Sequence, residues 1–282
     1  MSLTVWILLG ATVLLLIGMD RLSSRVIQPA LRPVERTVPE LGLAHEDLRI
    51  QSGDHELAAW LIQPHEAQPF EPLVLVAHGW SANYSTVLRL AGPLAETGHD
   101  VLLFDVRGHG RNAPEPYVSV RSFRDDLMAV TRYAATRFPD RQLVVIGHSM
   151  GGAAGVLAAA EGAPIDGLVL VAAPSDILRV TAEYLKDKGL PGHFLVNVFR
   201  PFWWRRIGST FRPLTPSRRI RELDIPLLLI QPEHDMRVAR EHAIRLAEAA
   251  GIDYRLIPDR EHTDVLGDPL TLRFVLEFLE DV

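Results

Sequence analysis

The sequence predicts an α/β fold built on a mostly parallel, eight-stranded sheet flanked by helices, with a helical insertion late in the chain and an apolar helix at its N-terminus. Three observations lead there. Short apolar runs at 73–77, 101–105, 143–147, 168–172, 226–230 and 254–257 alternate with segments of helical character, the pattern of parallel strands joined by helical crossovers. Two further runs, 44–50 and 55–62, flank Ser52-Gly53-Asp54 and read as a hairpin that opens the sheet. With 282 residues, 48% hydrophobic and 23% charged, the chain can bury one large core without covalent staples.

Several classes of function are excluded at this level. The chain has no cysteine, which removes disulfides, thiolate metal sites and a cysteine nucleophile. A net charge of −6 gives no reason to expect nucleic-acid binding. Eleven histidines invite a metal site, but no H-E-x-x-H or comparable ligand spacing occurs, so no metal and no other cofactor is expected.

Residues 3–19 form an uncharged run, LTVWILLGATVLLLIGM, about 26 Å long as a helix, near the lower limit for crossing a bilayer. A cleaved leader would carry a basic residue before this run and a small-x-small site after it, and neither is present. Residues 1–20 are therefore expected to be an uncleaved single-pass anchor. Arg21, Arg25, Arg32 and Arg36 all follow the span, which places the main domain on the cytoplasmic side by the positive-inside rule. Residues 21–40, with Pro29, Pro33 and Pro39, read as a stiff tether, leaving 41–282 as the main domain.

The strongest motif is Gly147-His148-Ser149-Met150-Gly151, set between the apolar run 143–146 and the alanine-rich stretch 153–160. Strand, tight turn and helix are what an exposed nucleophilic serine requires, because the turn strains the serine backbone and the glycines remove side chains that would collide there. A serine hydroxyl also needs a base to take its proton and a carboxylate to orient that base. The loop Gln231-Pro232-Glu233-His234-Asp235 supplies an acid after one strand, and Pro258-Asp259-Arg260-Glu261-His262 a histidine after the last. Asp235 is the expected acid, with Glu233 and Asp264 as rivals, and His262 the expected base.

The order Ser149, Asp235, His262, each in a loop after a strand, resembles the α/β-hydrolase family. Leu73-Val74-Leu75-Val76-Ala77-His78-Gly79-Trp80 resembles the family's third strand and its His-Gly turn. Phe104-Asp105-Val106-Arg107-Gly108-His109-Gly110 resembles the D-x-R-G-H-G turn after its fourth. The resemblance covers roughly residues 40 to 282 and implies an α/β-hydrolase fold with a helical cap at about 175–222. It implies that the Trp80 and Met150 N–H groups form an oxyanion hole, that His148 is a structural neighbour, and that Asp105, Arg107 and His109 brace their turn. Glu261 stands where the family more often has glycine. Within the serine branches, the His-Gly turn and cap resemble the monoglyceride-lipase and serine-aminopeptidase-like group.

Between Ser175 and Glu222 the chain carries ten Lys or Arg against four Asp or Glu, so the cap is basic within an acidic chain. Phe199, Phe202, Trp203 and Trp204 are the candidates to line an apolar acyl pocket; packing of the cap onto the body is the competing role for each. Phe202-Trp203-Trp204-Arg205-Arg206 is also a candidate contact with an anionic membrane surface. These readings converge on a serine hydrolase cleaving carboxylic esters, lipophilic acyl esters or thioesters among them, through an acyl-enzyme, with activity that falls in acid as His262 becomes protonated. An aminopeptidase-like amide hydrolase is the alternative, disfavoured because its cap needs acids for the substrate's amino group. A membrane-tethered binding protein without turnover is the other, and the oligomeric state is not legible.

Overall fold

Apolar side chains two residues apart decide the layering of this protein. The computed structural model describes residues 2–66 and 71–282. Met1 of the expected anchor and residues 67–70 of the expected main domain lie outside them. In chain order the elements are α1 (Leu3–Val26), β1 (Ala44–Ser52), β2 (His55–Gln63), β3 (Leu73–Ala77), α2 (Tyr84–Glu96), β4 (Val101–Phe104), α3 (Val120–Arg137), β5 (Leu143–His148) and α4 (Met150–Ala160). There follow β6 (Gly167–Val171), α5 (Ile177–Asp187), α6 (Gly192–Ile207), α7 (Pro216–Arg219), β7 (Leu227–Pro232), α8 (Arg240–Ala250), β8 (Tyr254–Ile257) and α9 (Pro269–Asp281).

The strands form one sheet in the order β1-β2-β4-β3-β5-β6-β7-β8. Only β2 opposes its neighbours, pairing antiparallel with β1 and β4; the remaining pairs are parallel. Every strand bound lies within two residues of its sequence expectation. Along β3, Leu73, Leu75 and Ala77 enter one core with Leu127 and Val130 of α3 and Leu246 of α8. Val74 and Val76 enter the other, with Leu90 and Leu94 of α2 and Val275 and Leu279 of α9. Burial on both faces is why the central strands read as continuous apolar runs.

Between β6 and β7, where the resemblance implied a helical cap, the chain forms α5, α6 and α7. Its own core joins Ala182 and Leu185 of α5 to Val196, Phe199, Trp203 and Ile207 of α6, and packs on Val120, Ala153 and Leu157 of the body.

The N-terminal helix differs from expectation at its end. By length and composition it can cross a bilayer, with mean hydropathy 2.1 over a window of which none is buried. It continues to Val26, however, and its last turns dock on the cap. Ser23 is buried, Trp203 Nε1–H donates to the Ser23 carbonyl at 2.9 Å, and Asp20 pairs with Arg206 at 2.7 Å and Arg205 at 3.0 Å. The expected tether is likewise a strap lying on the body. The Ile27 carbonyl accepts from Val118 N–H at 2.9 Å, Ala30 N–H donates to Ser81 Oγ at 3.0 Å, and Asn83 Nδ2 donates to the Arg32 carbonyl at 3.1 Å. Prolines stop helix and strand alike here, and the body supplies the hydrogen-bond partners that regular structure would have provided.

Trp203 is the keystone of this junction because one side chain serves the cap core and the helix end. Trp203→Ala should cost about 3–5 kcal/mol through the cavity it leaves. Thermal unfolding of the variant checks this, together with protease cutting near residues 20–30, which should accelerate when α1 loses its seat.

Candidate active site

Parallel strands deliver their following loops to one edge of the sheet, and the candidate residues collect there. Among the described residues, four non-glycines adopt positive φ: Ser81 at 53°, Ser149 at 53°, Ala172 at 52° and Asp259 at 54°. They follow β3, β5, β6 and β8, so backbone strain is concentrated along this single edge.

Ser149 turns the chain from β5 into α4 with φ 53° and ψ −118°. Its neighbours must be glycine. A Cβ on Gly151 would run into the Ala77 and His78 carbonyls, and one on Gly147 into Gly151 and Gly152. Across the turn, a Cβ on Gly79 would stand 2.9 Å from Ser149 Cβ, which shows how closely the loop after β3 approaches the serine.

The expected acid and base meet. His262 Nδ1–H donates to Asp235 Oδ2 at 2.8 Å, both residues being more than nine-tenths buried. Asp235 Oδ1 accepts from the Arg237 and Val238 N–H groups at 2.8 Å each, which fixes the carboxylate's orientation and leaves His262 Nε2 as the ring's free lone pair. Neither rival acid reaches the ring: Glu233 accepts from Asp259 N–H at 3.2 Å, and Asp264 faces Arg89 at 3.6 Å. No hydrogen bond joins Ser149 Oγ to His262 among the described residues; the link between their loops runs through His148. His148 Nε2–H donates to the His262 carbonyl at 2.8 Å, and the two rings lie 4.7 Å apart.

The turn after β3 is held by two histidines of one tautomer. His78 Nδ1–H donates to the Gly79 carbonyl at 2.8 Å while its Nε2 accepts from Val106 N–H at 3.0 Å. His109 Nδ1–H donates to the Arg107 carbonyl at 3.0 Å while its Nε2 accepts from Ser81 N–H at 3.2 Å. Asp105 accepts from Tyr84 and Arg111 N–H at 2.8 Å each, and Arg107 is bound to the buried Asp126. The Trp80 and Met150 N–H groups, flanking this turn and the elbow, donate to no acceptor among the described residues.

Burial dominates the titration of the braces. It lowers His78 and His148 to about 3 and His109 to about 4, with neighbouring histidines adding to the effect at His78 and His148. It raises Asp105 to about 7 against the pull of the Arg111 and Tyr84 N–H groups.

A profile described as serine aminopeptidase, S33, matches residues 68–191, a span that takes in the turn and the elbow but neither Asp235 nor His262. The esterase Pf2001 of Pyrococcus furiosus superposes with a TM-score of 0.71 at 22% identity, over 90% of this chain and 99% of its own. The chain has the α/β-hydrolase fold. A proline iminopeptidase from Mycobacterium smegmatis shares the fold at a TM-score of 0.62 and 18% identity, over 84% of this chain and 98% of its own. In sequence the chain is 28% identical to the uncharacterized protein YfhR of Escherichia coli O157:H7 over 229 residues, 75% of this chain and 71% of that relative.

The cap aromatics correct the expectation of a four-residue acyl pocket. Phe199 and Trp203 are each only 2% exposed, their rings tilted against one another at 5.8 Å inside the cap core, so they offer almost no surface to a substrate. Trp204 is 56% exposed, and Phe202 is half-buried. Helical spacing explains the split, since adjacent positions on α6 diverge by about 100° and cannot share a face.

One arrangement in this protein escaped the sequence. His242 on α8 is fully buried and uses both ring nitrogens: Nδ1 accepts from Ser175 N–H at 3.0 Å, and Nε2–H donates to Glu183 of the cap at 2.8 Å. Burial would raise the Glu183 carboxyl, but His242 and Arg179 outweigh it and hold it below the usual range. The one signal was a histidine inside the buried stripe with Ala243, Leu246 and Ala247, which gives no hint of its partners. On the exposed rim, Glu233, His234 and Asp259 gather within 4.8 Å and tie the β7 and β8 loops together.

Acid should destabilise this protein. His78, His109 and His148 take up protons on unfolding near their ordinary 6.5 but resist them when folded, so their contribution is complete above that value and is lost as pH falls toward 4. Asp105, raised to about 7, works the other way, its contribution lost as pH rises, but it is one group against three. Urea midpoints at about pH 7.5 and pH 5 should differ, the acid sample unfolding earlier; equal midpoints would mean the three rings are already protonated in the folded state.

Proposed function

We propose that this protein of α/β-hydrolase fold is a serine hydrolase of carboxylic esters, held at a membrane by α1. The observation that carries the reading is the Asp235–His262 hydrogen bond, at 2.8 Å, on the same sheet edge as the strained Ser149. Ser149 Oγ attacks the ester carbonyl as His262 Nε2 takes its proton. The Trp80 and Met150 N–H groups, which have no protein acceptor among the described residues, receive the developing oxyanion. His262 then returns the proton to the leaving alcohol, and a water deprotonated by His262 releases the acid from the acyl-enzyme. Asp235 keeps the His262 proton on Nδ1 throughout.

The profile match and the iminopeptidase likeness favour amide cleavage as a second reading. The engagement of the cap's acids supports esters instead. Asp176 caps α5 by accepting from Arg179 N–H, Glu183 binds His242 and Arg179, and Glu222 pairs with Arg219. That leaves Asp187, exposed at the end of α5, as the cap acid without a partner among the described residues.

The reading of α1 as an uncleaved anchor is supported by its docked end, because removing a leader that reached the body would strip Ser23 from Trp203 and Asp20 from the cap arginines. Arg21, Arg25, Arg32 and Arg36, all after the span, support a cytoplasmic placement of the catalytic domain by the positive-inside rule.

A fluorophosphonate probe should label the full chain at Ser149. Ser149→Ala should abolish labelling, and Asp235→Asn should slow ester turnover by about 10⁴-fold through loss of the productive tautomer. Labelling that persists in Ser149→Ala would overturn the assignment. Across p-nitrophenyl esters of increasing chain length and aminoacyl anilides, esters should be preferred; faster turnover of the anilides would select the aminopeptidase reading.

A further inference from the structure

The junction between α1 and the cap fixes more than the anchor's end. The uncharged run stops at Met19, and the next residue, Asp20, is bound to Arg205 and Arg206 of α6. A run of 17 residues spans about 26 Å, close to the hydrocarbon thickness of a bilayer, so this cluster of charges falls at the polar boundary and not in the acyl region. The C-terminal end of α6 is then at that boundary too, since the ion pairs leave no room for separation. Trp204, next to Arg205 in the chain, projects outward with 56% of its surface exposed although the core lies one residue away. Indole rings with an exposed apolar body and a polar N–H settle at membrane interfaces. Exposed Arg21 and Arg25 complete a basic rim around the same point, on a cap whose charge is already positive.

We infer that the end of α6 is a membrane-contacting surface, with Trp204 seated in the headgroup layer and Arg21, Arg25 and Arg205 facing anionic phospholipid. The occupant is the bilayer that holds α1, and the contact is continuous with the docked helix end. The consequence concerns substrate, and in this it rests on the esterase reading above. The inner face of the same helix carries Phe199 and Trp203 into the cluster that includes Met150, the residue after Ser149. The helix that meets the headgroup layer therefore also packs toward the elbow, and an amphiphilic ester with its polar end in the interface is the substrate class this placement fits.

The absence of native cysteine permits a direct test on the full chain. Trp204→Cys, Arg21→Cys and Glu248→Cys each carry one nitroxide label, with the protein reconstituted at one copy per phosphatidylcholine–phosphatidylglycerol nanodisc. All three positions are exposed, so labelling leaves the core intact. Collision with a water-soluble nickel chelate should be several-fold lower at 204 than at 248, and similar at 204 and 21. A label at 204 as accessible as that at 248 overturns the contact, as does one at 21 that reads bulk water. Replacing the anionic lipid with phosphatidylcholine should raise chelate access at 204. The measurement needs no turnover, so it stands or falls separately from probe labelling of Ser149, which tests the esterase reading.

Discussion

Ser149 sits at φ 53° and ψ −118°, and the rest of the site is arranged around keeping it there. Release of that strain would let the turn relax and swing the hydroxyl away from the sheet edge. What prevents it is steric. Gly147 and Gly151 let the elbow press against its own helix and against the end of β3, and Gly79 lets the next loop close to van der Waals distance of the serine. Strain of this kind persists only where packing over-determines the backbone.

The same economy governs the histidines. His78 and His109 each accept from a backbone N–H of a neighbouring loop, and burial keeps them uncharged so that a lone pair is available to do so. His148, also kept uncharged by burial, reaches its neighbouring loop as a donor instead, to the His262 carbonyl. The residue before the proposed nucleophile therefore positions the loop of the proposed base, and errors in one loop are transmitted to the other. His242 performs a comparable task at a larger scale, joining the cap helix α5 to the body through Glu183 and Ser175.

Much of this was legible in sequence because it depends on local pattern. The strands declare themselves by apolar runs that are buried on both faces, and the elbow by glycines at fixed offsets from Ser149. Asp235 and His262 were found by their position after strands, and the structure separates Asp235 from Glu233 and Asp264 by showing which carboxylate reaches the ring. The cap aromatics were not separable in advance. Trp203 and Trp204 are the same residue type one step apart, and only the direction from which α1 and the body approach α6 makes one a core residue and the other a surface one.

The sequence by itself determined the strand pattern, the glycine spacing that permits a strained serine and an apolar helix long enough for a bilayer, since each follows from neighbours in the chain. Tertiary structure decided the contacts between segments with no shared periodicity. Trp203 and Ser23 are 180 residues apart, His148 and His262 are 114, and Ser175 and His242 are 67. Such pairs are selected by how helices and loops pack over the sheet, and that packing turns an expected tether into a strap and an expected pocket wall into the cap's core.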